Sequence, residues 1–270
     1  MENIKVISAD IDGTLLSKVD VTRPSASTAN TILDLRKHGF KFGLASGRPY
    51  EDVEHFAKNW NMEQFDFLIC WNGCELWDKN TNKKYEYNWL TVDEIKEIIE
   101  FMKDSGSVIN MYQPGRLLTS EETEKAFLSS LKTGREMILV NGPEDYYRHP
   151  NGGIMFRSNP ETVRKYEALL PEFTKGKNYV GFKTQPDLLE FSSAQANKGY
   201  ALSKYCELNG YTLDECASFG DTTNDNEMLK VSHGVCLLNG SDDTKACAEY
   251  ITDKTIEDDG FTDFIYKHLL

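Results

Sequence analysis

The sequence lacks the features of several protein classes. It has no excess of positive charge, since 30 Lys and Arg stand against 43 Asp and Glu, which gives a formal net charge of −13. This balance argues against nucleic acid and anionic membrane surfaces as main partners. No apolar run approaches membrane-spanning length. A strand is predicted almost at the first residue, so we expect no signal peptide. We therefore expect a cytoplasmic protein, a monomer or a weak homodimer, with no nucleic-acid or membrane partner.

Cysteine and histidine patterns that bind metals are also missing. None of the six cysteines forms a Cys-x-x-Cys pair, and the five histidines show no zinc-binding spacing. Several cysteines lie in apolar, strand-like segments, where a reduced cysteine acts as a small hydrophobic residue. A chain of 270 residues has no need of disulfides for its stability. Neither a zinc site nor a disulfide-based fold is expected.

Strand and helix patterns alternate near both ends of the chain. Short apolar runs separated by helical segments predict parallel strands joined by right-handed crossovers, and this rhythm resumes at about Lys198. The middle of the chain has hairpin signals instead. We therefore expect an α/β fold: a doubly wound, mostly parallel, Rossmann-like core sheet from residues 1–83 and 187–270, with an inserted α+β cap domain at residues 84–186.

Two acidic residues follow the first predicted strand. Asp10 and Asp12 belong to the run Asp-Ile-Asp-Gly-Thr-Leu, at the carboxyl end of a strand, where open α/β sheets bind ligands. Residues two apart in extended chain point the same way, so the two carboxylates can converge. Converging carboxylates repel unless a cation, a proton or a catalytic task holds them together. An isolated Asp-x-Asp-Gly is also a common polar turn, so its meaning depends on the other motifs.

Three further polar segments are predicted at the same edge of the sheet. Ser46-Gly47-Arg48 follows the second strand, Lys198 begins the helix after the insertion, and residues 220–225 (Gly-Asp-Thr-Thr-Asn-Asp) follow a later strand. Carboxylate oxygens suit a hard cation such as Mg²⁺. A serine beside a glycine suits a phosphoryl oxygen, a lysine neutralises phosphate, and an aspartate can attack phosphorus. Together these segments predict a phosphoryl-transfer site.

Each segment also has a purely structural explanation. Ser46-Gly47 fits an ordinary turn, Lys198 fits a solvated lysine, and residues 220–225 fit a helix N-cap cluster. Arg48 fits an ion pair with a nearby carboxylate, and Asn72-Gly73 is more often a hairpin turn than a ligand. These explanations do not account for four motifs in this order at strand ends.

The four motifs resemble those of the haloacid dehalogenase superfamily. Asp-x-Asp-Gly-Thr-Leu, Ser-Gly-Arg-Pro, Asn-Lys-Gly and Gly-Asp-x-x-Asn-Asp-x-x-Met occur in the family's order, and the resemblance covers essentially the whole chain. The sequence is similar to the Cof-type sugar-phosphatase branch, which carries a large α/β cap between the second and third motifs. This resemblance implies a Mg²⁺-dependent phosphatase for small phosphorylated metabolites, sugar phosphates above all. It also implies an aspartyl-phosphate intermediate and a cap that closes over the substrate.

The resemblance further implies a role for each acidic residue. Asp10 would be the nucleophile. Asp12 would protonate the leaving oxygen and then activate water. Mg²⁺ would be held by the Asp10 carboxylate, the Asp12 backbone carbonyl and Asp221, while Asp225 would support the water shell of the metal.

Phosphate binding is implied for a second set of residues. Ser46 would hold a phosphoryl oxygen, with Gly47 and Arg48 beside it, and Asn224 would face the phosphate. Lys198 would neutralise charge between the phosphate and the nucleophile.

The substrate remains open at this point. Residues 237–240 read Leu-Leu-Asn-Gly where many relatives have Met-Gly-Asn-Ala, and Trp71 is bulkier than is common at its place. A phosphosugar mutase or other phosphoryl transferase and a non-catalytic phosphosugar sensor are alternatives. A phospho-receiver domain is disfavoured because it would be about half this length. Four cap residues are candidates for substrate contact: Met111, Tyr112, Arg116 and Arg157.

Overall fold

The computed structural model describes residues 1, 3–17, 22–60 and 65–270, which form two compact units. The core unit comprises Met1–Glu86 and Asn197–Leu270, and the cap unit comprises Tyr87–Ala196. Both boundaries lie further along the chain than the predicted boundaries after residues 83 and 186. The first differs because Lys83–Glu86 is a strand of the core sheet. The second differs because Leu188–Ser193 is paired on both sides within the cap sheet.

The described residues form two sheets, with eight strands in the core unit and six in the cap unit. In chain order the strands are β1 (Val6–Asp10), β2 (Lys41–Ala45), β3 (Phe67–Cys70), β4 (Glu75–Asp78), β5 (Lys83–Glu86), β6 (Val108–Gln113), β7 (Arg116–Thr119), β8 (Glu136–Leu139), β9 (Ile154–Arg157), β10 (Tyr179–Gln185), β11 (Leu188–Ser193), β12 (Cys216–Gly220), β13 (His233–Cys236) and β14 (Tyr250–Ile251).

Helices connect these strands, and none in the described ranges is long and apolar enough to cross a membrane. In chain order the α-helices are α1 (Ala26–Lys37), α2 (Tyr50–Asn59), α3 (Val92–Met102), α4 (Glu124–Thr133), α5 (Pro160–Glu167), α6 (Leu170–Phe173), α7 (Lys198–Asn209), α8 (Asn226–Val231), α9 (Asp242–Cys247) and α10 (Gly260–His268).

The core sheet has the strand order β14-β13-β12-β1-β2-β3-β4-β5. The first six strands in this order are parallel, and β4 and β5 add an antiparallel edge. The expected doubly wound, mostly parallel α/β core is therefore confirmed. Asp10 lies opposite Ala45, and Ala9 lies opposite Phe219, so β1, β2 and β12 end at the same edge of the sheet.

The central strand β1 is buried on both faces: one face packs into the apolar core, and the other carries the polar residues Ser8 and Asp10. Ile7, Ala9 and the following Ile11 join the main apolar cluster of the core unit, which also contains side chains of α1 and α10. Each large apolar side chain that is fully buried, such as that of Ile7, stabilises the fold by about 1.5–3 kcal/mol. Ser8 points to the other face, where its hydroxyl contacts the Met228 sulfur of α8 at 3.3 Å. Side chains alternate along a strand, so Asp10 shares the face of Ser8.

The cap unit has its own sheet, in the order β10-β11-β9-β6-β7-β8, and only β7–β8 is a parallel pair. Helices α3, α5 and α6 pack on it through a separate apolar cluster. The sequence Thr-Val-Asp-Glu at residues 91–94 predicts a capping box, and Thr91 and Glu94 form one at the start of α3. In the sequence, Asn159-Pro160 predicts the start of a helix that runs to about Phe173, but the structure has the two shorter helices α5 and α6 there.

Candidate functional site

A buried lysine joins the start of α7 to the end of β1. Nζ of Lys198 lies 2.6 Å from Oδ1 of Asp10 and 2.6 Å from Oδ1 of Asp225, and its side chain is fully buried. The helix begins here because the Asn197 side chain caps it, accepting the backbone N–H of Tyr200 at 2.7 Å. Lys198 is therefore not the solvated lysine of the structural explanation.

Three carboxylates lie together around this lysine. Oxygens of Asp10, Asp221 and Asp225 all lie within 4.8 Å of one another, and all three residues are buried. Asp221 directly follows β12, and the Thr14 hydroxyl donates to its Oδ1 at 3.1 Å. Fully ionised, the three carboxylates carry three negative charges, of which Lys198 offsets one. The excess negative charge is what a divalent cation would neutralise.

The pKa values reflect this crowding. Burial raises the pKa of Asp10 well above its usual value, against the effect of Lys198, and the neighbouring carboxylates raise it further. Burial, with Asp225 beside it, raises the pKa of Asp221 to about 6. Burial alone would lower the pKa of Lys198, but Asp10 and Asp225 outweigh it and raise that pKa, so the lysine stays charged. Without a cation the cluster favours keeping a proton.

Asp225 has both of its carboxylate oxygens engaged. Lys198 donates to Oδ1, and the backbone N–H groups of Asp221 and Thr222 donate to Oδ2 at 3.0 and 3.1 Å. The residue therefore fixes the loop after β12 and the position of Lys198. The N-cap explanation for residues 220–225 is partly right, because Thr222 and Asp225 form a capping box.

The carboxylate of Asp12 does not join the cluster. Arg48 holds it with two hydrogen bonds, from Nε to Oδ2 at 2.9 Å and from Nη2 to Oδ1 at 2.7 Å. The guanidinium also lies over the Phe56 ring, 4.7 Å from its centroid. The carboxylates of Asp10 and Asp12 therefore do not converge as expected. The reason is that the extended chain of β1 ends at Asp10, and Gly13, with φ of +91°, begins a tight turn back to Leu16. Arg48 thus forms an ion pair with a nearby carboxylate, as its purely structural explanation predicts.

Ser46 after β2 and Asn224 after β12, the remaining predicted phosphate-binding side chains, are connected through Asn72. Ser46 is buried, and its hydroxyl accepts the backbone N–H of Arg48 at 3.2 Å. The backbone N–H of Asn72 donates to the Ser46 carbonyl oxygen at 3.0 Å, and the Asn224 amide donates to the Asn72 side chain at 3.1 Å. A β-carbon on Gly47 would lie 3.1 Å from Oδ1 of Asn72, which is the oxygen that accepts from Asn224. Asn72 thus links the loops that carry Ser46 and Asn224.

The turn after β3 has an unusual backbone. Trp71, Asn72 and Gly73 all have positive φ, at 50°, 51° and 98°. The apolar run Phe67–Trp71 predicts a strand that includes Trp71, but β3 ends one residue earlier, at Cys70. Only glycine fits at position 73, because a β-carbon there would lie 2.1 Å from the carbonyl oxygen of Asn197. This close approach places the turn against the residue that caps α7.

The sequence patterns assign no role to two residues that touch the site. Thr14 donates to Asp221, and Asn239 donates to the Gly13 carbonyl oxygen at 2.9 Å while accepting the Ile256 N–H at 2.9 Å. Thr14 was visible as part of the first motif. Asn239 was visible only as the one residue that its segment shares with the family pattern at that position.

The four candidate cap residues have different surroundings within the cap unit. Met111 is fully buried in the apolar cluster, so it has no surface for a ligand. Tyr112 and Arg157 line a small cavity of the cap unit. The Arg157 side chain also forms an ion pair with Asp187 at 2.7 Å, and Arg116 is exposed.

Fold and site together define an α/β enzyme whose acidic centre lies at the carboxyl edge of a doubly wound sheet. Within that class, the chain belongs to the haloacid dehalogenase-like hydrolase family, which it matches over residues 7–265. The family resemblance seen in the four motifs is thereby confirmed.

Individual relatives are similar over nearly the whole chain. The 5-amino-6-(5-phospho-D-ribitylamino)uracil phosphatase YcsE of Bacillus subtilis (strain 168) is 28% identical over 257 residues, which cover 95% of this chain and 92% of the relative. The HMP-PP phosphatase of Klebsiella pneumoniae (strain 342) is 25% identical over 243 residues, covering 90% and 87%. The crystal structure of a haloacid dehalogenase-like hydrolase from Bacteroides thetaiotaomicron has a TM-score of 0.85 at 24% identity, covering 98% and 99%. That structural likeness confirms the fold.

Proposed function

We propose that this chain is a Mg²⁺-dependent phosphatase that hydrolyses phosphate monoesters of small metabolites, sugar phosphates above all, through an aspartyl-phosphate on Asp10. The observation that carries the proposal is the buried contact of Lys198 with Asp10 beside Asp221, at the strand ends of the core sheet. The names of the two curated relatives support the reaction class, since both are phosphatases and one name specifies a phosphorylated ribitylamino-uracil.

The donor set fits a hard divalent cation. It consists of buried carboxylate oxygens within 4.8 Å of one another, in a cluster with net negative charge. Asp10, Asp221 and the backbone carbonyl of Asp12 would hold Mg²⁺. Asp225 would act indirectly, because its oxygens already bind Lys198 and the backbone of Asp221. When bound, the cation would neutralise negative charge on the phosphoryl group.

Asp10 is the proposed nucleophile. Lys198 binds its Oδ1, so Oδ2 is the oxygen that attacks phosphorus. The new bond between Oδ2 and phosphorus forms as the bond from phosphorus to the ester oxygen breaks, and the electron pair leaves with that oxygen. Lys198 supplies positive charge, while Ser46 and Asn224 donate hydrogen bonds to the phosphoryl oxygens.

Asp12 is the proposed acid and then the base. It gives a proton to the ester oxygen, which leaves as an alcohol. The resulting carboxylate takes a proton from water, the oxygen of that water attacks phosphorus, and Asp10 is released together with phosphate. Asp12 must part from Arg48 to do this, because Arg48 engages both of its oxygens here. Arg48, once released, would join the Gly47 N–H in binding phosphate.

A phosphate-release assay tests the proposal. The purified chain is offered a panel of phosphorylated metabolites, with Mg²⁺ or with EDTA. We expect release from small phosphate monoesters that needs Mg²⁺ and disappears in Asp10→Asn, whose side chain has nearly the same shape. Asp104→Asn, an exposed aspartate in the cap unit, is the matched control and should retain full activity.

Product analysis separates the proposal from its rivals. Conversion of a sugar phosphate into its isomer without net phosphate release would show a mutase instead. Tight binding of a sugar phosphate without turnover would show a sensor. Full activity in EDTA, or in Asp10→Asn, would remove the mechanism proposed here.

A further inference from the structure

Two cysteine side chains meet inside the core unit, away from the acidic cluster. Cys206 lies in the second half of α7 and Cys216 is the first residue of β12, and their sulfur atoms are 3.2 Å apart. Their exposed fractions are 2% and 0%. Both are thiols in this structure.

The geometry is close to that of a covalent bridge. A disulfide needs two sulfur atoms about 2.05 Å apart, on side chains that point at each other. The chain reverses between the two cysteines over residues 207–215, so the side chains of α7 and β12 already face each other across this turn. The sulfur atoms need to approach by only about 1 Å, which small side-chain rotations can supply.

The surroundings provide both a reactive sulfur and a route to it. Cys216 has one thiol hydrogen and two acceptors within reach, the Cys206 sulfur and the Thr212 carbonyl oxygen at 3.3 Å. When that hydrogen points to Cys206, it lowers the pKa of Cys206, which is then the sulfur that ionises first. Above the pair lies a turn with exposed residues Gly210, Thr212 and Asp214, and local opening of this turn would admit a small oxidant.

We propose that Cys206 and Cys216 are an oxidation site, a dithiol that low-molecular-weight disulfides convert into an intramolecular disulfide. The Cys206 thiolate attacks one sulfur of the small disulfide, forms a mixed disulfide and expels one thiolate. The Cys216 thiolate then attacks the Cys206 sulfur, closes the protein disulfide and expels the second thiolate. The protein loses two electrons and two protons, and the small disulfide becomes two thiols.

The bridge would fasten two elements that carry the acidic site. Lys198 begins α7 eight residues before Cys206, about 12 Å along the helix. Asp221 follows Cys216 by five residues, about 16 Å along the strand. The disulfide would therefore lie at the far ends of both elements. We expect it to raise the melting temperature, because it restricts the unfolded chain, while leaving the lysine and the carboxylates in place.

Disulfide mapping on the wild-type chain is the decisive test. The folded protein, with Mg²⁺ present, is incubated with oxidised glutathione, quenched in acid, alkylated under denaturing conditions and digested for mass spectrometry. We expect a linked peptide pair containing Cys206 and Cys216 to appear while Cys70 and Cys236 are still alkylated. The proposal is wrong if both cysteines stay alkylated, if glutathione remains attached to either one, or if either one pairs with a different cysteine.

Thermal unfolding with and without oxidation supplies an independent readout. The melting temperature of the wild type should rise on oxidation and return on treatment with a dithiol reductant. Cys206→Ser and Cys216→Ser should each lose the rise, while Cys247→Ser, a cysteine outside the pair, should keep it. A rise that persists in either serine variant, or an unchanged wild type with the bond formed, contradicts the proposed stabilising bridge.

Discussion

Gly13 and Asp221 approach so closely that no side chain fits between them. A β-carbon on Gly13 would lie 2.3 Å from Oδ2 of Asp221, and Gly13 has φ of +91°. The turn after β1 is thus shaped around a carboxylate of the acidic cluster, and the small size of Gly13 matters as much as its backbone conformation.

Replacing this glycine should therefore damage the site and not only the turn. Gly13→Ala should push Asp221 out of place and abolish Mg²⁺-dependent phosphate release. Gly39→Ala is a matched control, because Gly39 also has φ of +91° but no atom within 4 Å of the added carbon. Both variants should lose about 1 kcal/mol or more of stability to backbone strain, which urea unfolding measures. If Gly39→Ala loses the activity too, or Gly13→Ala keeps it, the contact with Asp221 is not what matters.

The buried charge of Lys198 gives a second prediction. Lys198→Met keeps the length of the side chain but leaves Asp10 and Asp225 without their cation. Breaking one partner out of a buried ion pair typically costs about 3–5 kcal/mol, and we expect a loss of that size in urea unfolding. Lys204→Met lies on the same helix, where Lys204 forms a pair with Glu207 that is partly exposed, and should cost less than about 1 kcal/mol. Equal losses in the two variants would contradict a special role for the buried lysine.

The proposed role of Asp12 as acid and then base gives a kinetic prediction. p-Nitrophenyl phosphate has a leaving group that needs little help from an acid, so Asp12→Asn should still transfer its phosphoryl group to Asp10. Without a base to activate water, the second step should slow by about 10²–10⁴-fold. Rapid mixing should therefore show a burst of nitrophenol equal to the enzyme concentration, followed by slow turnover. Turnover at the wild-type rate would show that Asp12 has no part in the chemistry.

The positions of the main residues were predictable because they depend on strand ends. A short apolar run followed by polar residues predicts where β1 and β12 end, and parallel pairing then brings Asp10 and Asp221 to one edge. The loop geometry was not predictable. Asp12 turns to Arg48 because residues 11–16 fold back on themselves, which depends on a backbone turn and on a partner from the next strand.

The domain boundaries show the same limit from another side. Leu188–Ser193 has the apolar alternation of any half-buried strand, so its pattern fits either sheet. Its pairing with Tyr179–Gln185, a hairpin across Pro186-Asp187, and its pairing with Ile154–Arg157 both assign it to the cap unit. The hairpin has a local turn signal, but the pairing with Ile154–Arg157, from much earlier in the chain, has none. The left-handed backbone of Trp71 is similar, since tertiary packing overrides the strand preference of a tryptophan.

A buried glutamate in the core sheet should make stability depend on pH. Glu75 is 5% exposed on β4, where Lys84 lies 3.7 Å away and Glu51 and Glu86 add negative charge. Burial raises the pKa of Glu75 from 4.5 to about 7, in spite of Lys84. The folded state therefore binds this proton more tightly than the unfolded state does.

The sign follows from this difference in proton binding. The contribution of Glu75 to stability is fully present below pH 4.5 and is lost as the pH rises through about 7, by up to about 3 kcal/mol. Glu75→Gln stays neutral, so its free energy of unfolding should fall less between pH 5 and pH 8.5 than that of the wild type. Glu257→Gln, an exposed control, should follow the wild type, and urea unfolding at the two pH values measures all three. The same fall in Glu75→Gln and the wild type would mean that Lys84 keeps Glu75 ionised throughout, because a paired carboxylate needs no proton to remain buried.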